Sequence, residues 1–350
     1  MSAEQDEGNP EYVNARVKTR RATLFSEEDY QNLLRMGTGE IARFMEESTY
    51  EREINALGAR HEGVDLIEYA VNANLARNFE DLLRWCSGRL YDQVARYLRK
   101  FDSWNVKTLL RGVYAGADAQ TIEDDLIPAG ELEERFLTGL VEAANVEEVV
   151  EGLAGTTFGD PLAGALSDYE ETGLLVPLEN AVDRAYYVRL MGDVAGDSRA
   201  TQLYVEFLQA EIDFRNVRNA LRIARSGADI DVTEYFIEGG RLFDPAELRT
   251  LAGSPDDLVA RLRESVYGDD LEAALDQLET SESLIGFEHA LDAALLEYSD
   301  HLSHVYPLSV CPVLAYVLAK EQEVSNIRAI ARGREAGLGP EEIEADLVVF

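Results

Sequence analysis

The sequence predicts an all-α chain made of three similar helical domains, from an internal repeat of about 110 residues. Three observations predict it: apolar residues recur at helical spacing, helix-start signals punctuate the chain, and several motifs return in one register. Leu33-Leu34, Ile41, Phe44-Met45 and later Leu203, Phe207-Leu208, Ile212 step by three and four residues, the period that lines one face of a helix. No strand-like alternation competes with it. Ser26 before Glu27-Glu28-Asp29, Ser254-Pro255-Asp256-Asp257 and Gly339-Pro340-Glu341-Glu342 each set a cap or proline first and acids in the first turn.

The register is the strongest signal. Asp102, Asn105, Lys107 and Arg111 are matched by Asp213, Asn216, Arg218 and Arg222, and by Glu323, Asn326, Arg328 and Arg332. Leu66-Ile-Glu68-Tyr-Ala70 matches Leu178-Glu179-Asn-Ala181 and Phe287-Glu288-His-Ala290. Tyr50, Phe158 and Tyr267 fall at equivalent places, and Leu126 to Gly130 matches Phe236 to Gly240. Agreement in a single register implies triplication, with domains at 1–127, 128–237 and 238–350. Units this long are small domains rather than solenoid repeats, and periodicity leaves a row and a ring equally open.

Charge sets the environment. The 350 residues carry 32 basic against 67 acidic side chains, a net charge of −35, and 28 of the 32 basic residues are arginine. At about 1 M salt the Debye length is about 3 Å, so repulsion among carboxylates is screened and an acidic, lysine-poor surface is favoured. A basic partner is the competing reading. An acidic tail is excluded, because the acids are interleaved with apolar residues at helical spacing. The same field opposes nucleic acid. Cys86 and Cys311 stand far apart without a CxxC, as in a reduced cytoplasmic protein. The acidic stretch from Met1 to Glu11 has no secretory pattern. The longest apolar run, Val305 to Ala319, is broken by Pro307 and Pro312 and is too short to span a bilayer, so membrane association would require a protein partner.

Residues four apart share a helix face, so Lys107 with Arg111, Arg218 with Arg222 and Arg328 with Arg332 form three basic pairs. One reading makes them a surface that grips an acidic partner. The structural reading puts Arg111, Arg222 and Arg332 in partly buried networks with the glutamate of their own copy, Glu68, Glu179 or Glu288, because a charge among apolar neighbours needs a partner. Asn105, Asn216 and Asn326 join those glutamates as repeated buried polar positions. The basic run Arg16, Lys18, Arg20 and Arg21 either faces an acidic partner or lipid headgroups, or is paired inside the protein.

Nothing argues for catalysis or for a cofactor. His301, His304 and Cys311 lack a fourth metal ligand. Asp124-Asp125, Asp256-Asp257 and Asp269-Asp270 lack the DDxxD pattern of helical isoprenoid synthases and suit helix starts. His61 and His289 have no nucleophile context, and no phosphate-binding loop or GxSxG occurs.

Tyr12 to Lys18 and Tyr316 to Arg328, above all Lys320-Glu-Gln-Glu-Val-Ser-Asn-Ile-Arg328, resemble the C subunits of archaeal A-type ATP synthases, haloarchaeal ones included, and their V-type relatives, the d subunits. The resemblance spans essentially the whole chain. It implies three helical domains in a pseudo-threefold funnel at the cytoplasmic face of the membrane. One face would sit on the proteolipid ring and the socket would receive the shaft formed by the D and F subunits, among other synthase components. It implies a non-catalytic central-stalk part that couples ion flow to ATP synthesis. A metal-dependent helical enzyme and a generic helical scaffold are the alternatives, and the missing DDxxD weighs against the first. The charge reading is tested by dilution. Helical circular dichroism is expected to fall between about 3 M and about 50 mM KCl, and an unchanged signal would contradict it.

Overall fold

The computed structural model describes residues 8–192, 194, 198–226, 232–269, 271–272, 275–276 and 284–348, and among these every regular element is helical. Met1 to Glu7 and Asp270, which enter the sequence reading, lie outside the described residues, as does the Phe287 side chain. The chain falls into two compact units, Met1–Val13 with Thr38–Asp193, and Asn14–Gly37 with Val194–Phe350. Among the described residues two helices precede residue 38: α1 (Pro10–Arg21) and α2 (Glu27–Leu33).

The first unit continues with α3 (Thr38–Glu46), α4 (Glu51–Leu57), α5 (Gly63–Trp85), α6 (Gly88–Leu98), α7 (Lys100–Ala115), α8 (Ala119–Asp124), α9 (Glu134–Thr138), α10 (Val146–Gly152), α11 (Gly159–Thr172) and α12 (Val176–Gly192). Helices α3 and α4 pack on α5, and α10 and α12 pack on α7. Phe79, Tyr97, Leu109 and Leu110 are fully buried, and the Phe79 and Phe101 rings meet at 5.2 Å.

In the second unit follow α13 (Arg199–Ser226), a 3-10 turn (Val232–Tyr235), α14 (Pro245–Ala252), α15 (Pro255–Arg263), α16 (Leu284–Val305), α17 (Cys311–Glu335) and α18 (Pro340–Glu344). Its core gathers Phe214, Val217, Leu221, Leu258, Tyr267 and Leu291. The segment 14–37 is fastened here. The Asn14 amide donates to the carbonyls of Pro307 and Ser309, Arg21 pairs with Asp300, the Phe25 N–H donates to Glu323, and Arg334 donates to the Met36 carbonyl at 3.0 Å.

The helix starts form as their sequences predict. Ser26 and Asp29 make a reciprocal capping box, the Ser254 hydroxyl accepts the Asp257 N–H, and the Glu342 carboxylate accepts the Gly339 N–H at 2.8 Å; each satisfies donors that a helix leaves unpaired. Another device recurs at the turns before Tyr50, Phe158 and Tyr267. The hydroxyls of Ser48, Thr156 and Ser265 each donate to the carbonyl three residues back at 2.7 Å and accept the N–H two residues on. The aromatic ring that follows is buried in all three.

The repeated asparagines explain much of the register. Asn105 donates its amide to the Ile127 carbonyl at 2.8 Å and accepts the Ile127 N–H at 2.7 Å. Asn216 does the same with Ile237, both at 2.9 Å, and Asn326 with Val348 at 2.8 and 3.1 Å. A primary amide is both donor and acceptor, so one side chain satisfies both backbone groups of a buried residue. The acid three residues earlier holds the next stretch. Asp102 accepts the N–H groups of Glu131 and Leu132, and Asp213 those of Arg241 and Leu242. This contact requires the glycines of the matched segments, since a Cβ on Gly130 or Gly240 would lie 2.0 or 2.1 Å from the carboxylate oxygen. Glu323, one methylene longer, instead reaches the Phe25 N–H and Lys320.

Replacing Asn105 by leucine would leave the N–H of Ile127 buried without a partner, at about 1–3 kcal/mol, and its carbonyl with the Ala129 N–H alone. Denaturant unfolding in molar KCl is expected to show a loss of roughly 1–3 kcal/mol; a change within about 0.5 kcal/mol would mean that the clamp does not hold this loop.

Candidate functional site

The basic pairs occupy the helix face turned away from the asparagine clamps, and they join helices. On α7, Lys107 Nζ lies 2.7 Å from an Asp183 carboxylate oxygen, and Arg111 Nε lies 2.6 Å from Glu179; both acids are on α12. On α13, Arg218 pairs with Asp292 and Arg222 makes a two-pronged contact with Glu288, both on α16. Each ladder has two rungs four residues apart, as helix periodicity requires. Arg328 and Arg332 take the corresponding places on α17, half-buried and exposed, and Glu68 is half-buried on α5.

The pairing corrects the expected one. Arg111 meets Glu179, not Glu68, and Arg222 meets Glu288, not Glu179, so these two arginines bind glutamates further along the chain than the expected ones. The reason is packing: α7 lies against α12 and α13 against α16, while the Asp102 and Asn105 face is occupied by its own loop. Glu179 and Glu288 are partly exposed, with side chains 25% and 19% accessible, not buried as the sequence reading has them. The asparagines are the buried members, at 0–2% exposure.

Electrostatics follow contact geometry. The Glu179 hydrogen bond raises the Arg111 guanidinium pKa, and the Glu288 bond does the same for Arg222. For Glu288, burial pushes the carboxyl up, but the bond to Arg222 and its charge outweigh that and hold it below the usual range. Asp102 is pushed up to about 6 by desolvation, which outweighs its two backbone hydrogen bonds and the nearby charge of Arg99.

The other candidates are dispersed. Arg16 and Lys18 are exposed on α1, Arg20 is half-buried, and Arg21 pairs with Asp300. His304 lies 2.9 Å from the Asp300 carbonyl oxygen, and Cys311 is buried. His61 faces Asp124 at 3.5 Å. Among the described residues no three metal-ligating side chains converge.

Sequence reasoning missed two buried ionic groups. Glu53 binds Arg77 at 2.6 Å and the buried Asn74 at 2.9 Å. Lys320 and Glu323 pair at 2.6 Å, each side chain 2% exposed. Their i, i+3 spacing offered a signal for the second pair. The first joins positions 24 apart and left none.

Comparison with known proteins places the chain in a family. Residues 13–346 match the family described as ATP synthase (C/AC39) subunit. The chain is 64% identical over 342 residues to the C subunit of the A-type ATP synthase of Haloferax volcanii, covering 98% of each chain. It is 60% identical over 345 residues to that of Halobacterium salinarum, again 98% of each. With the protein of the same name from Methanococcoides burtonii it shares 36% over 344 residues, 97% of this chain and 94% of the other. The chain belongs to the ATP synthase (C/AC39) subunit family, whose members are structural rather than catalytic components of the synthase.

Proposed function

We propose that the chain is the central-stalk coupling component of an A-type ATP synthase. In this reading it lies at the cytoplasmic face of the membrane and joins the proteolipid ring to the shaft of the D and F subunits during proton-driven ATP synthesis. It is organised as three similar helical domains, 1–127, 128–237 and 238–350. The observation that carries the proposal is similarity over nearly the full chain to proteins named as the C subunit of A-type ATP synthases.

Two physical features support it. No helix among the described residues is long and apolar enough to cross a membrane, which suits a part that reaches the bilayer through partners. The ladders also suit a load-bearing part. Sliding α7 along α12 would strain Lys107–Asp183 and Arg111–Glu179 together. In molar salt distant charges are screened within about 3 Å, so direct contacts are the electrostatic links that survive.

A pull-down of tagged protein from gently solubilised membranes in high salt, read by mass spectrometry, is expected to recover the proteolipid with the D and F subunits. A stable species that runs alone would sink the proposal. The ladders are tested separately by double-mutant cycles in molar KCl. Lys107–Asp183, with side chains 16% and 24% exposed, is expected to couple by about 0.5–1 kcal/mol, and the exposed Arg84–Glu80 pair by about zero. Equal values would remove the ladders as struts.

A further inference from the structure

In the first unit, Arg96, Arg99 and Arg189 line one cavity of about 20 Å³ together with Asp102, Glu131 and Thr157. Room of this kind admits one water-sized occupant, for which about 10–15 Å³ suffices. Three arginines around so small a space stand out in a chain of net charge −35.

The internal repeat sharpens the contrast. The offset that relates Asn105 to Asn216 sets Phe207 and Ala210 where the first unit has Arg96 and Arg99. The offset that relates Glu179 to Glu288 sets Tyr298 where it has Arg189. In the second unit these positions are filled. Phe207 and Ala210 are fully buried, Tyr298 packs edge-on against Tyr267 at 5.8 Å, and the Tyr267 hydroxyl reaches Asp213. Aromatic filling there gives way to cations and a cavity here.

We propose that the cavity is a halide site that holds chloride among the guanidinium groups of Arg96, Arg99 and Arg189. The site is built for it. Glu131 contacts Arg99 at 3.0 Å and Arg189 at 3.7 Å from one carboxylate oxygen, which fixes both forks on one side. Asp102 is committed to the backbone N–H groups of Glu131 and Leu132. The Thr157 hydroxyl accepts from Arg189, so its own hydrogen is available to an anion. Guanidinium forks supply the charge-assisted hydrogen bonds that anions take, and the size favours a monatomic anion over a tetrahedral oxyanion. Affinity need not be high: a dissociation constant of about 30 mM would leave the site almost full at about 3 M chloride.

The proposal is independent of the coupling role and is tested on the full chain crystallised from potassium bromide. An anomalous bromide peak is expected in the cavity, within hydrogen-bonding distance of Arg189, and is expected to vanish in the double variant Arg96→Phe, Arg189→Tyr, which installs the side chains of the other copy. No peak in the unsubstituted protein, or an unchanged peak in the variant, overturns it. Thermal melts supply a second readout, with Arg189→Gln as the milder variant. The gain in melting temperature on replacing potassium glutamate by KCl is expected to shrink by several degrees in either variant, and equal gains in all three proteins would also refute the site.

Discussion

A buried asparagine that grips both backbone groups of a single residue underlies the packing of every long core helix that carries the repeated motif. Asn105, Asn216 and Asn326 each hold a residue 21 or 22 positions further along the chain. The returning stretch has no helix or sheet to satisfy it at that point, and an unpaired buried peptide group is costly. The clamp removes that cost and fixes where the segment re-enters the core. The neighbouring aspartates extend the grip by one more turn of loop, and the glycines opposite them make room for a carboxylate against bare backbone. Once that face of α7 or α13 is occupied, the opposite face is left for a neighbouring helix.

That division of faces sets the electrostatics. The basic pairs on α7 and α13 meet acids on α12 and α16, and each rung is a direct contact rather than an effect at a distance. An acidic protein suited to concentrated salt has little use for long-range attraction, which is screened within about 3 Å at 1 M. Contact pairs and buried pairs such as Lys320–Glu323 lose less to screening. The many arginines suit such contacts, because a planar fork keeps its geometry and its charge where an ammonium is more readily perturbed. A part that passes torque, as proposed here, gains from rungs that resist sliding along the helix axis.

The third motif departs from the other two at its acid, and the departure is informative. Glu323 replaces aspartate, and its longer side chain reaches the Phe25 N–H rather than a segment downstream. Residues 14–37 lie in the second unit, and their capped helix α2 follows Leu24-Phe25 as α14 follows Leu242-Phe243. The motif thus finds a partner segment at the start of the chain, where the first two motifs find theirs further on.

The helical class, the high-salt surface, the repeated motifs and the family were all legible in the amino-acid sequence. Periodicity, composition and local spacing carry the first three, each a matter of residues close in the chain or of counting, and the family rests on the resemblance of Tyr12 to Lys18 and Tyr316 to Arg328. The caps at Ser26, Ser254 and Gly339 were legible for the same reason. Which glutamate each arginine meets was not, because nothing local distinguishes Glu68 from Glu179 as a partner for Arg111. Folding in three dimensions settled that pairing. It also assigned 14–37 to the second unit, paired Glu53 with Arg77 across α4 and α5, and set three arginines from α6, α12 and the turn between α6 and α7 around one cavity. Those outcomes depend on which helices lie side by side, and that is fixed by the packing of whole faces rather than by any short run of sequence.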